Sequence, residues 1–127
     1  MKIPQVVVLV IEDEPLLLGL LCELLRDLGA EVVAVDRADA GMTYLEDHAG
    51  ELGLIVTDVM MPGRLNGHDL AVAVSARWPR LPVLVTSGYT PSKNHEMPYN
   101  TFFIAKPWNL QQMEAAVTER LPLLKVS

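Results

Sequence analysis

Four places in this chain set a chemically competent polar residue directly after an apolar run. Glu12 and Asp13 follow Val6 to Ile11, and Asp58 follows Leu54-Ile55-Val56-Thr57. Ser87 follows Pro82 to Thr86, and Lys106 follows Thr101 to Ala105. If the four run ends meet, three carboxylates face one another and repel. A divalent cation relieves that repulsion. Mg²⁺ prefers oxygen ligands, takes one or two carboxylates and keeps several waters, which leaves room for a phosphate oxygen. A hydroxyl at Ser87 and an ammonium at Lys106 suit a phosphoryl group carried by Asp58. The implied chemistry is phosphoryl transfer to a carboxylate, giving an aspartyl phosphate. Its catalysis is positioning plus charge neutralisation, with no general base required.

The elements that must position these residues follow from hydrophobic patterning. Continuous runs rich in Val, Ile and Leu read as strands buried on both faces, as in a parallel sheet. Five such runs are present: Val6 to Ile11, Glu31 to Val35, Leu54 to Asp58, Pro82 to Thr86 and Thr101 to Ala105. Between them, Leu17, Leu21, Leu24, Leu25 and Leu28 repeat at helical spacing, with Pro15 at the start and Gly29 as the stop. A second helix runs to about His48, with Asp36 or Asp39 as its cap and Ala40, Tyr44 and Leu45 inward. Leu70, Val74 and Trp78 mark a third helix stopped by Pro79. Leu110, Met113, Ala116, Val117 and Leu121 mark the last. Tyr89 to Asn100, with Pro91 and Pro98, carries no apolar period. A short turn or loop is expected there, so the helix before the fifth strand is short or missing. Alternating strands and helices give a parallel sheet flanked by helices, joined by right-handed crossovers. The expected strand order is 2-1-3-4-5, which opens a crevice between the first and third strands at their carboxyl ends. Glu12 and Asp13 then face Asp58 across strands about 4.8 Å apart.

Composition narrows the class. At 127 residues, 50% of them hydrophobic, residues 1–127 are expected to form a single domain with no output domain attached. A net charge of −6 argues against direct nucleic-acid binding. The single Cys22 excludes an internal disulfide and suits a reducing cytoplasm. No run is long enough to span a membrane. The first helix is apolar well beyond one stripe, with Leu16, Leu18 and Leu20 besides the periodic leucines. It is either deeply buried or a face for a partner, such as a helical bundle or a second copy of the chain.

Each feature taken singly has a plainer reading. An acid pair before a helix compensates its dipole, and Ser-Gly or Lys-Pro after a strand makes a turn. The signal is the order of four run ends: acid pair, Asp, hydroxyl, Lys. One rival reading is a binding module of the same fold that is not phosphorylated in use. A dehalogenase-type hydrolase lacks its second acid, because Met60 stands there. A flavin carrier lacks its phosphate loop, because Glu12-Asp13-Glu14 stands there.

Together, Val8-Leu9-Val10-Ile11-Glu12-Asp13-Glu14, Asp58-Val59-Met60-Met61-Pro62, Thr86-Ser87-Gly88 and Ile104-Ala105-Lys106-Pro107 resemble the receiver domain of two-component response regulators. The resemblance implies a flavodoxin-like three-layer α/β sandwich. It implies that Asp58 accepts phosphoryl from a histidine kinase or phosphotransfer protein, and that the domain then switches binding to a downstream protein. Such a receiver is not a conventional enzyme, although it catalyses its own phosphorylation and slow dephosphorylation. By the same resemblance Glu12, Asp13, Asp58 and the backbone carbonyl of Met60 serve Mg²⁺, Ser87 and Phe103 form the switch pair, and Lys106 contacts phosphate. Lys106–Pro107 would be a cis peptide. Three departures stand out. Glu12 replaces the commoner Asp, the loop Gly63 to Gly67 carries one extra residue as in stand-alone or hybrid-kinase receivers, and Tyr89 to Asn100 is Pro-rich.

Overall fold

A computed structural model describes residues 6–59, 63, 65–88, 98 and 100–121. Its five strands are β1 (Val7–Ile11), β2 (Glu31–Val35), β3 (Leu52–Asp58), β4 (Val83–Ser87) and β5 (Thr101–Ala105). They pair in parallel in the order β2-β1-β3-β4-β5. Among the described residues the helices are α1 (Pro15–Asp27), α2 (Ala38–His48), α3 (Gly67–Arg77) and α4 (Leu110–Arg120), with a 3-10 turn at Ala49–Glu51. The fold is therefore the expected α/β sandwich. The expectation of a reshaped stretch from Tyr89 to Asn100 falls largely outside the described residues.

Strand alternation divides the interior into two cores. Val8, Val10, Leu54 and Val56 point to one face, where Leu21, Leu25, Met113 and Val117 of α1 and α4 cover them. Leu9, Ile11 and Ile55 point to the other, beneath Leu45, Leu70 and Val74 of α2 and α3. Because both faces are covered, the central strands need no polar positions until they reach their carboxyl ends.

Helix starts and stops hold those ends in place. Glu14 caps α1, its carboxylate accepting from the Leu17 amide at 2.8 Å, with Pro15 in the first turn. Gly29 follows at φ 101°, a left-handed position where glycine avoids the Cβ penalty. Asn66 and Asp69 form a reciprocal capping box on α3, and Asn109 and Gln112 form one on α4. The cap of α2 differs from expectation. Arg37 is the flanking residue, with no side-chain bond to the helix; Asp36 lies too early, and the Asp39 carboxylate is turned elsewhere. Leu110 also differs. It is half exposed at the first turn of α4, and the inward face begins at Met113.

The apolar excess of α1 splits between both expected roles. Leu21, Cys22, Leu24 and Leu25 are buried, whereas Leu16 is 84% and Leu20 42% exposed.

Candidate functional site: an acid pocket at the carboxyl edge of the sheet

The parallel register brings the strand ends level. Ile11 pairs with Thr57, Asp58 with Thr86, and Ser87 with Ala105. Residues one step beyond these pairs therefore share one rim. The Lys106 amide donates to the Ser87 carbonyl at 2.7 Å, and the Glu12 amide to the Val35 carbonyl at 3.1 Å. Backbone bonds thus continue past the strands and fix where both side chains leave.

Glu12, Asp13 and Asp58 each bring a carboxylate oxygen to within 4.8 Å of the others. Lys106 Nζ lies 3.1 Å from Asp58 Oδ2 and 3.6 Å from Glu12 Oε1. One ammonium thus faces two carboxylates. Asp58 Oδ1 accepts from the Val59 amide at 2.8 Å, and Thr57 Oγ1 donates to the Asp58 carbonyl at 3.0 Å. Ser87 is buried at the end of β4 and participates in the local contacts. The Lys106–Pro107 bond is cis. Phe103 pairs with Val85 in the sheet and is half-buried against the α2–α3 core. Met60, expected to lend a carbonyl to the metal, lies outside the described residues.

Glu12 is the electrostatically costly member. It is 1% exposed. Its Oε2 accepts from the Glu14 amide at 3.1 Å, while Oε1 has no hydrogen-bond partner. Burial is the main force pushing its pKa above the ordinary carboxylate value, and the charge of Asp58 adds to it. The Glu14 amide and Lys106 pull the other way. A buried carboxylate oxygen without a donor costs stability unless something cationic meets it. The donor set here is all oxygen and carries three carboxylates, which fits a hard divalent cation such as Mg²⁺.

Two contributors escaped the sequence reading. Gly67 was legible only as part of a turn. In the structure its Cα abuts the Asp58 carbonyl so closely that any Cβ would collide with it, and its amide donates to the Val59 carbonyl at 3.0 Å. The second is Thr57, whose hydroxyl braces the Asp58 backbone. A lone polar residue inside an apolar run was the available signal.

Comparison with known proteins gives a consistent picture. Residues 8–118 match the family model described as response regulator receiver domain. Response regulator protein FleR of Pseudomonas aeruginosa is 40% identical over 82 residues, which is 65% of this chain and 17% of that protein's length. The receiver domain of the hybrid histidine kinase CckA is 27% identical and superposes with a TM-score of 0.76, covering 91% of this chain and 98% of that one. Response regulator TrrA of Thermotoga maritima, solved in complex with Mg²⁺ and BeF, has a TM-score of 0.80 at 21% identity. It covers 92% of this chain and 100% of its own, a likeness of fold.

Proposed function

This chain belongs to the response regulator receiver domain family, and on that premise we propose that Asp58 accepts a phosphoryl group from a histidine kinase or phosphotransfer protein. The observation that carries the proposal is the position of Lys106 Nζ, 3.1 Å from Asp58 Oδ2, in the same pocket as Glu12 and Asp13. Asp58 is the nucleophile. One of its carboxylate oxygens bonds to phosphorus as the donor's P–N bond breaks, and the electron pair leaves with the imidazole. Val59 and Thr57 hold Asp58 through their bonds to its carboxylate and carbonyl, so little reorganisation is needed at transfer. Lys106, already beside Asp58, faces the negative charge that builds on the transferred oxygens. Ser87, on the neighbouring strand end, donates its hydroxyl to the phosphoryl group, and Phe103 follows it as the switch aromatic. Glu12, Asp13, Asp58 and the backbone carbonyl of Met60 would hold Mg²⁺, which when bound would offset charge on the phosphoryl oxygens.

The partner surface lies beside the pocket. A hollow of about 370 Å³ is lined by Leu17, Leu20, Lys106, Pro107 and Trp108. With exposed Leu16 it gives an apolar face next to the phosphoryl site. The helical bundle of the phosphodonor protein packs there, bringing its phosphohistidine to Asp58. The state change on phosphorylation extends only as far as the differential contacts of the phosphoryl group drive it. Among the described residues no helix is long and apolar enough to cross a membrane, and a cytoplasmic location is part of the same proposal.

Acetyl phosphate with Mg²⁺ tests the acceptor directly. Intact mass should show one phosphoryl group, labile to hydroxylamine, on the peptide containing Asp58, and chelation should prevent it. Absence of any mass gain overturns the reading. Leu20→Glu should slow transfer from a phosphohistidine donor while leaving acetyl phosphate labelling unchanged. Equal loss of both would return Leu20 to a purely structural role.

A further inference from the structure

Asp39 sits in the first turn of α2, half-buried, where an acid ordinarily serves its own helix. Instead its Oδ1 accepts from the Leu65 amide, 26 residues away, at 3.1 Å. Its Oδ2 occupies the space a Cβ at position 63 would need. Gly63 has φ 105°, so position 63 calls for glycine twice, by conformation and by close approach to the carboxylate. The backbone at 63 and 65 therefore bends around Asp39. Two residues later it closes on the pocket, because the Gly67 amide binds the Val59 carbonyl and the Gly67 Cα rests on the Asp58 carbonyl. Ala38, Val59 and Leu65 share one apolar cluster under this arrangement.

We propose that Asp39 is a positioning residue: a latch from α2 that fixes the loop after Asp58 and so sets the affinity of the acid pocket for a divalent cation. The loop leaves β3 at Val59 and is fixed again at Gly63 and Leu65. At Gly67 it returns to the Asp58–Val59 backbone, so the latch bears on the segment that carries the acceptor carboxylate. Loss of the carboxylate frees the far end. The existence of the latch stands on this geometry, whereas its consequence for the cation rests on the proposed acceptor role.

The test combines Mg²⁺ titration, followed by tryptophan fluorescence, with amide exchange at Leu65. Asp39→Ala should raise the Mg²⁺ Kd about tenfold, in line with the loss of a group that orients metal ligands. It should also speed exchange of the Leu65 amide about tenfold while amides of β1 and β3 stay protected. Phosphorylation by acetyl phosphate should be slow at low Mg²⁺ and recover at saturating Mg²⁺, a separation that general loosening of the fold does not give. Gly63→Ala should weaken Mg²⁺ binding in the wild-type chain and cost less in the Asp39→Ala chain, where the carboxylate it would strike is gone. An unchanged Kd in Asp39→Ala, or a raised Kd with Leu65 exchange as slow as in the wild type, overturns the proposal. A wild-type chain that binds no Mg²⁺ sinks the acceptor reading instead. Faster Leu65 exchange in Asp39→Ala then still establishes the latch, and unchanged exchange removes it.

Discussion

The two edges of the sheet are built from the same strands and treat charge in opposite ways. At the carboxyl edge Glu12 is enclosed, Asp58 is nearly so, and a single ammonium faces both. At the amino edge His48 Nδ1 meets Glu51 Oε2 at 2.9 Å, and Arg77 Nη1 lies 3.8 Å from Glu46 Oε1, all four side chains being largely in solvent. That edge also has a hollow of about 390 Å³, near Leu52, Trp78 and Leu81. Among the described residues that line it, the charged one, Arg80, is exposed. The difference teaches where to look for chemistry in a parallel sheet. Geometry alone supplies a rim at each end, but among the described residues it is the carboxyl rim that holds acids against the cost of desolvation.

Substitutions at the two edges should separate them sharply. Asp58→Asn should abolish hydroxylamine-labile phosphate entirely, as read by intact mass, while His48→Ala labels like the wild type. Lys106→Ala should lower the rate of acetyl phosphate labelling on the order of 100-fold, the range for loss of one charge-stabilising group. It should also tighten Mg²⁺, because the competing cation is gone. Calorimetric titration showing weaker Mg²⁺ binding would contradict the shared-ammonium picture.

Glu12 gives a smaller effect with a defined sign. Its pKa is raised in the folded chain above the ordinary 4.5, so between 4.5 and that higher value the folded state holds a proton that the unfolded state has released. The stabilisation is present below 4.5 and is lost as pH rises through the folded value. In chelator, Glu12→Gln should therefore be more stable than wild type at neutral pH, by about 1–2 kcal/mol. The gap should close as pH falls, and denaturant melts across pH 4 to 7 check it. Smallest of all, Glu51→Gln at the amino edge should change stability by less than about 0.5 kcal/mol. A larger loss there would blur the contrast between edges.

Much of this was legible in the sequence, for identifiable reasons. Burial on both faces writes a parallel strand as an unbroken apolar run, so β2 and β5 were placed at their observed limits and the strand order followed. The carboxyl-edge acids were legible because each interrupts such a run. What stayed hidden depends on contacts between distant segments. Asp39 reads as a helix cap, since sequence offers its own helix as the nearest partner; its Oδ1 instead accepts from the distant Leu65 amide. The outward turn of Leu110 was hidden because it sits in the first turn of α4, which Asn109 and Gln112 close, ahead of the inward face that begins at Met113. For α1, periodicity marked Leu17, Leu21, Leu24, Leu25 and Leu28 as inward but left open whether the leucines outside that stripe were buried. Only packing showed that Leu16 and Leu20 stay outside.

The two oxygens of Glu12 have separate employments. Oε2 secures the bend from β1 into α1 through the Glu14 amide, and Oε1 alone looks toward Lys106. An aspartate in its place, one methylene shorter, would have to abandon either the bend or the lysine. Here the longer side chain is what lets a single residue serve as hinge pin and as partner of Lys106 at once.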